Sequence, residues 1–368
     1  MKIAQRLLNN ITSLARSVLP SRDNGYADLV AVAKQVRRCP EIAPWHDFDK
    51  ELAEKYVAEH AEQLAAARAA LQRPCRIEMR MVKEFYEEHW PETQSLRQLA
   101  TLFCTEARLA NTQQDLPRLI RAGIDLLRLG NATRNGGMIL DALVAQSASG
   151  MGIDLLRRQR ANFNDEQRQT LIEALLRIEP AAESIEAIIT RDREWENVTN
   201  HAATENHDFI PMDPEEIGIS IADQQEFHDL IRASVEHEAR LPPDQQRQKE
   251  RGIEYTGQAL LRMLITDLAL RRFQTAQGLL PERLQLLVPE FLPALPLDPF
   301  TNTPLIYRPH GETFELYSTG PKQIDGGGLF TSRSMVSMHQ GDLCLDVHDI
   351  SDPENVCEIA AENISRSA

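Results

Sequence analysis

Leu295-Pro-Leu-Asp-Pro-Phe-Thr-Asn-Thr-Pro-Leu-Ile-Tyr-Arg308, followed by Phe314-Glu-Leu-Tyr-Ser-Thr-Gly-Pro321 and the glycine run Gly326-Gly327-Gly328, is the stretch that decides the fold. Turn residues sit at fixed offsets between two short apolar runs, which predicts a small antiparallel sheet entered by an Asp-Pro turn. Leu305 and Tyr307 fall on one face of a first strand, and Phe314 and Leu316 on one face of a second. Pro309-His310-Gly311 joins the two. Where Leu343, Leu345 and Val347 alternate with Asp342, Cys344 and Asp346, a third strand is expected.

Upstream, Pro242-Pro243 marks a boundary, and the polar run Asp244–Glu250 opens a long helix that Gly278 stops after Gln277. Ile253, Leu260, Leu261, Leu264, Ile265, Leu268 and Phe273 give this helix a wide apolar face. The sheet that follows is the surface expected to cover it. Pro281, Leu284, Leu287 and Val288 then make a short helical turn ending at Pro289.

From about Tyr26 to Arg240 the apolar residues recur at three- and four-residue steps, the mark of packed amphipathic helices. One stripe runs Leu52, Tyr56, His60, Leu64, Ala67, Leu71 and ends at Pro74; another runs Leu96, Leu99, Phe103, Ala107. Asp115 can cap a helix carrying Leu119, Ile120, Leu126 and Leu127 to a stop at Gly130. Ala142–Gly152 strings together Ala145, Ser147, Ala148, Ser149, Gly150 and Gly152, small residues that let helices approach closely. No G-x-S-x-G surrounds either serine, so packing rather than nucleophilic chemistry is read there. Asn164 with Gln167 signals a capping box for a helix reaching Pro180, and a further helix follows from about Ala181. Asn200–Ile219 is a polar connection, and Asp223 with Glu226 opens a helix through Phe227, Leu230, Ile231 and Val235.

Forty basic and fifty-five acidic residues leave a formal charge of −15, which repels phosphate backbones and argues against nucleic-acid binding. Cys39, Cys75, Cys104, Cys344 and Cys357 are odd in number, widely spread and without zinc-ligand spacing, so they read as ordinary free or buried thiols, with a disulfide among them left open. The best apolar candidate for a membrane span, Ala259–Leu270, is short and carries Arg262 and Asp267. Residues 1–19 place Ile3, Leu7, Ile11, Leu14 and Val18 on one face with Lys2, Arg6 and Arg16, a basic amphipathic helix that either docks on the protein or lies on a membrane surface. No signal peptide is read in it, which leaves cytoplasmic or peripheral envelope locations open.

The stretch Tyr255–Gly328 resembles the C-terminal portion of type II secretion pseudopilins. The resemblance rests on Gly278-Leu-Leu-Pro281, Leu284, Leu287, Pro289, Leu295-Pro-Leu-Asp-Pro299, Tyr307 and Tyr317-Ser-Thr-Gly320. It implies a long helix packed on a three-stranded antiparallel sheet. Where those relatives usually carry glycine, this chain has Asn302, the non-glycine residue most tolerant of positive φ. Several also bind calcium after the sheet, but here Ser318 and Asp325 beside Lys322 make a poor cage. The long helical region ahead of the module argues against a filament subunit. Asn24-Gly-Tyr-Ala-Asp-Leu29, Tyr56–Leu64 leading to Pro74-Cys75, and Leu116–Gly130 are similar to a large group of uncharacterised bacterial proteins that join such helices to this end.

The expected architecture is therefore mainly α: a basic helix at 1–22, a helical-hairpin domain at 23–243, a pseudopilin-like α+β module at 244–350 and a tail at 351–368. Chemistry, if any, would lie with Glu194, Glu196, His201, Glu205, His207, Asp208, His228, Glu236, His237 and Glu238. Their spacing matches no metal motif, and His228 and His237 lie on opposite sides of a helix. The leading reading is a non-catalytic interaction or scaffold protein with a protein partner, no cofactor and no catalytic or metal residues, with a tie to the envelope or secretion machinery as its expected setting. Its rivals are a metal-dependent hydrolase using His201 to Glu238 and a peripheral membrane protein held by residues 1–19.

Overall fold

The computed structural model describes residues 23–42, 48–199, 243–328 and 341–346. They form a mainly helical protein with a small three-stranded antiparallel sheet. The helices are α1 (Tyr26–Ala33), α2 (Lys50–Glu59), α3 (Ala61–Leu71), α4 (Phe85–Thr112), α5 (Leu116–Arg134), α6 (Ile139–Gln159), α7 (Asp165–Ile178), α8 (Ile185–Thr199) and α9 (Pro243–Gln277). The strands are β1 (Ile306–His310), β2 (Thr313–Ser318) and β3 (Leu343–Cys344), in the spatial order β1-β2-β3.

Local signals set most helix ends. Asp49 caps α2 by accepting the Leu52 N–H at 3.0 Å, and Asp115 caps α5 by accepting that of Arg118 at 3.1 Å. Asn164 and Gln167 form the expected capping box, with reciprocal bonds of 2.8 and 2.9 Å. Gly278, at φ +75°, ends α9 as read from the sequence.

Three expectations need correction. The Leu52–Leu71 stripe is two helices, broken at His60, whose Nδ1–H donates to the Tyr56 carbonyl while Nε2 accepts the Arg37 N–H. The apolar stripe is continuous because both helices turn the same side inward. Gly130 does not stop α5, which runs on to Arg134; instead a Cβ there would collide with Ser149 and the Ala145 carbonyl. This glycine is a contact point between α5 and α6, as is Gly152, where a Cβ would lie 2.9 Å from the Gly123 carbonyl oxygen. Ala145, Ser149 and Gly152 therefore serve close packing, whereas Ser147 and Gly150 are exposed. Finally, among the described residues it is α6 rather than Ala259–Leu270 that is long and apolar enough to cross a membrane, and part of it is buried inside the protein. Its inward face carries Asp141, Ala145, Ala148, Gly152 and Leu156.

Between Ala259 and Leu270, α9 is buried on every side except at Arg262. A helix apolar around its whole circumference must be covered from several directions. Its Leu264, Ile265 and Leu268 share one apolar cluster with Leu119 of α5, Leu171 and Leu175 of α7, and Leu316 and Leu343 of the sheet. Polar ties run the same way. Arg272 donates to Asp165 at 3.0 Å, Gln274 donates to the Glu312 carbonyl at 3.1 Å, and Arg271 lies 5.7 Å over the Phe314 ring. Arg262 bridges Glu179 at 2.6 Å and the Leu297 carbonyl at 2.8 Å.

In the sheet, Ile306 pairs with Tyr317 and His310 with Thr313, and β3 pairs Cys344 with Tyr317 and Leu343 with Ser318. The Asp-Pro turn is built around Asp298, 2% exposed, which accepts the N–H of Phe300 at 2.9 Å and of Thr319 at 3.2 Å. Asn302 adopts φ +57°, as its residue type allowed.

Candidate functional site

The sequence-nominated groups His201, Glu205, His207, Asp208, His228, Glu236, His237 and Glu238 lie outside the described residues, as do residues 1–19 and Cys357. Glu194 and Glu196 stand on α8 without joining a cluster of ligands. Among the described residues no group of three His, Cys, Asp or Glu side chains is placed to hold a metal ion.

Among the described residues, an open cleft of 370 Å³ lies where α2, α3, α4 and α5 meet. Val57, Ala58, Ala61, Leu64 and Leu109 supply an apolar wall, and Glu54, Arg68, Glu106, Gln113 and Arg118 supply the polar groups. Helical spacing explains the floor. Glu106 follows Phe103 by three residues and precedes Ala110 by four, so it shares their inward face and is 2% exposed. A buried carboxylate needs cationic partners. Arg68 donates from Nη2 to Glu106 and from Nε to Asp125 at 2.6 Å. Arg118 donates from Nε to Glu106 at 3.1 Å, and Arg121 stands 3.7 Å from the same carboxylate.

At the mouth, Arg118 Nη1 reaches Gln113 at 3.4 Å, Gln113 Nε2 donates to Glu54 at 3.2 Å, and Lys50 lies 3.8 Å from Glu54. Burial pushes the Asp125 carboxyl up from its ordinary range, against the pull of Arg68. Burial alone would lower the Arg68 guanidinium, but its bonds to Asp125 and Glu106 raise it. Sequence reading missed this site because Arg68, Glu106 and Arg118 come from three separate helices.

A second buried polar group joins α4 to α6. His89 Nε2 lies 3.0 Å from Asp141 Oδ1, Thr93 donates to the same oxygen at 2.8 Å, and Asp141 Oδ2 accepts the Met138 N–H at 2.9 Å. Phe85 stacks on the imidazole at 5.0 Å, and Glu92 approaches Nδ1 at 3.5 Å. Burial opposes the charge on His89, but the hydrogen bonds to Asp141 and Glu92 outweigh it and lift the imidazole to about 9. It is held as an imidazolium at neutral pH, a tie between helices rather than a base.

The remaining groups are engaged too. Asp325 accepts from Tyr317 at 2.7 Å, Arg308 at 2.9 Å and the Gly327 N–H at 2.8 Å, while the Ser318 hydroxyl accepts the Gly320 N–H at 3.1 Å. Gly326 and Gly328 donate their N–H groups to the buried Asp342 carboxylate at 3.2 and 2.8 Å. The glycine run thus cradles an anion of its own chain. Cys75 and Cys104 are buried free thiols that burial pushes up to about 11 and about 12, which keeps them protonated and unreactive.

No protein-family model, no curated protein and no solved structure matches the chain.

Proposed function

We propose that the protein is a non-catalytic interaction or scaffold protein whose helical region receives a partner in the cleft of α2–α5. One observation carries this reading. The charged groups on the cleft floor, Arg68, Glu106, Asp125 and Arg118, are bonded to one another beneath an apolar wall, which suits recognition rather than proton transfer. A pre-paired floor offers shape and surface to a partner.

The likeness of 244–350 to a pseudopilin end, and with it a tie to the envelope or secretion machinery, belongs to the same proposal. What supports it is the long α9 leading into a β-hairpin, with Asp298 and Asn302 shaping the turn before it. Photo-reactive residues placed at Ala58 and Ala61 on the cleft rim, and at Glu173 on α7 as a control, test the partner reading in the native cell. A discrete adduct from positions 58 and 61, absent at 173, is expected. Equal labelling from all three, together with substrate turnover by the purified full chain, would overturn it.

A further inference from the structure

A helix that serves a self-contained helix-plus-sheet unit turns one apolar stripe to its sheet and keeps a polar face for water. Between Ala259 and Leu270, α9 keeps no such face. It touches α6, α7 and α8 of the helical region as well as β2 and β3. Ala259, Met263, Leu264, Leu268, Ala269 and Leu270 are fully covered, and only Arg262 in this stretch is not buried. The two other polar residues turn inward too. Thr266 donates to the Arg262 carbonyl of its own helix at 2.8 Å, and Asp267, 3% exposed, accepts from Arg160 of the helical region at 3.2 Å. A surface of this kind resembles a domain core cut in half, as permanent interfaces do.

Charged pairs tie α9 to the helical region along its length. Glu254 accepts from Arg134 of α5 at 2.8 and 3.1 Å, Arg262 donates to Glu179 at 2.6 Å, and Arg272 donates to Asp165 at 3.0 Å. Glu254 and Arg272 stand 18 residues apart, about 27 Å along a helix. Arg134 and Glu254 are both buried, so sliding α9 by one turn would leave two ions unpaired away from water. The pairs thus set one register for the apolar contact between them.

We propose that α9 is an obligate interface within the chain, its partner being the α5–α8 layer of the same molecule, and that the helical region and the sheet fold and unfold as one cooperative unit through it. The C-terminal part is then not a detachable adaptor. A partner's helix, or α9 of a second copy, has no access to this apolar surface while the protein is folded. This goes beyond the partner-binding reading and does not rest on it.

The test uses the full chain. Every tryptophan precedes α9 in sequence, and Trp90 and Trp195 stand on α4 and α8, so fluorescence follows the helical region while hydrogen exchange of Thr313–Ser318 follows the sheet. In urea both signals should change at one midpoint, as a single cooperative unit requires. Glu254→Ala should lower both midpoints by the same amount. A second preparation carries a site-specific protease sequence inserted after Ser220, between α8 and α9. Once cut, its two pieces should elute together at the volume of the parent chain and part only in urea. Separate midpoints for fluorescence and exchange in the parent chain, a Glu254→Ala shift confined to one of the two signals, or two folded pieces that part in buffer would each overturn the proposal.

Discussion

Arg157 of α6 donates from Nη1 to the Leu345 carbonyl at 2.6 Å, joining residues 188 positions apart. Arg160, one turn on, pairs with Asp346 and with Asp267 of α9, the latter at 3.2 Å. The segment after β3 is thus fastened to the helices as well as to β2. Arg157 is 8% exposed, so removing it takes a buried charged donor from the Leu345 carbonyl, while Asp154 keeps its bond to Arg158 at 2.8 Å. Arg157→Ala should cost about 2 kcal/mol in urea unfolding, the range for a lost charge-assisted hydrogen bond. Hydrogen exchange at Leu343 and Cys344 should quicken in the same variant. Unchanged exchange at both amides would show that β2 pairing alone holds the strand.

Stability should also depend on pH through His89. Its folded value of about 9 lies above the ordinary 6.5, so the contribution is fully present below about pH 6.5 and fades as pH rises through 9. At about 1.4 kcal/mol per tenfold change in proton affinity, the ceiling is about 3 kcal/mol. Urea midpoints of the parent chain should therefore fall between pH 6.5 and 9. His89→Gln should be less stable at pH 6.5 and nearly flat across that window; a parallel decline in both proteins would place the titration elsewhere.

Features that depend on neighbours within three or four residues were legible in the sequence. The Asp115 cap, the Asn164–Gln167 box, the Gly278 stop and the pairing of two strands around Gly311 follow from local chemistry, although Pro309 and His310, expected in the connection, pair with Phe314 and Thr313 inside β1. Features set by distant partners were not. Gly130 looks like a terminator until Ser149 is found against it, and the apolar face of α9 could not reveal that Ala259–Leu270 is enclosed by α6 and α7 as well as touched by the sheet. The cleft was hidden for the same reason. Its one local signal was Glu106, a carboxylate on the apolar face shared by Leu99 and Phe103, where a charge requires a partner from another helix.

Asn302 gives a direct test of the turn ahead of β1. At φ +57° most L-residues pay a steric penalty that glycine escapes and asparagine partly escapes. The side chain is exposed, so substitutions there report backbone strain with little change in packing. Asn302→Gly should change stability by less than about 1 kcal/mol, whereas Asn302→Val should lose about 1–2 kcal/mol. Calorimetry of both variants decides it, and a valine variant as stable as the parent would mean that the turn readily adopts another conformation.

Two glycines in α6 should respond with opposite sign to the same substitution. Alanine is favoured over glycine within a helix by about 1 kcal/mol, because glycine loses more backbone freedom on folding. At Gly150 a Cβ meets nothing within 4 Å, so Gly150→Ala should gain most of that amount. At Gly152 the new Cβ would lie 2.9 Å from the Gly123 carbonyl and 3.1 Å from the Leu126 Cβ, both fixed to the α5 backbone. Relief requires the two helices to separate, and overpacking of this kind costs about 1–3 kcal/mol. Gly152→Ala should therefore be the less stable variant despite the same propensity gain. Equal melting temperatures for the two would mean that α5 and α6 do not approach as closely as Gly152 and Gly123 require.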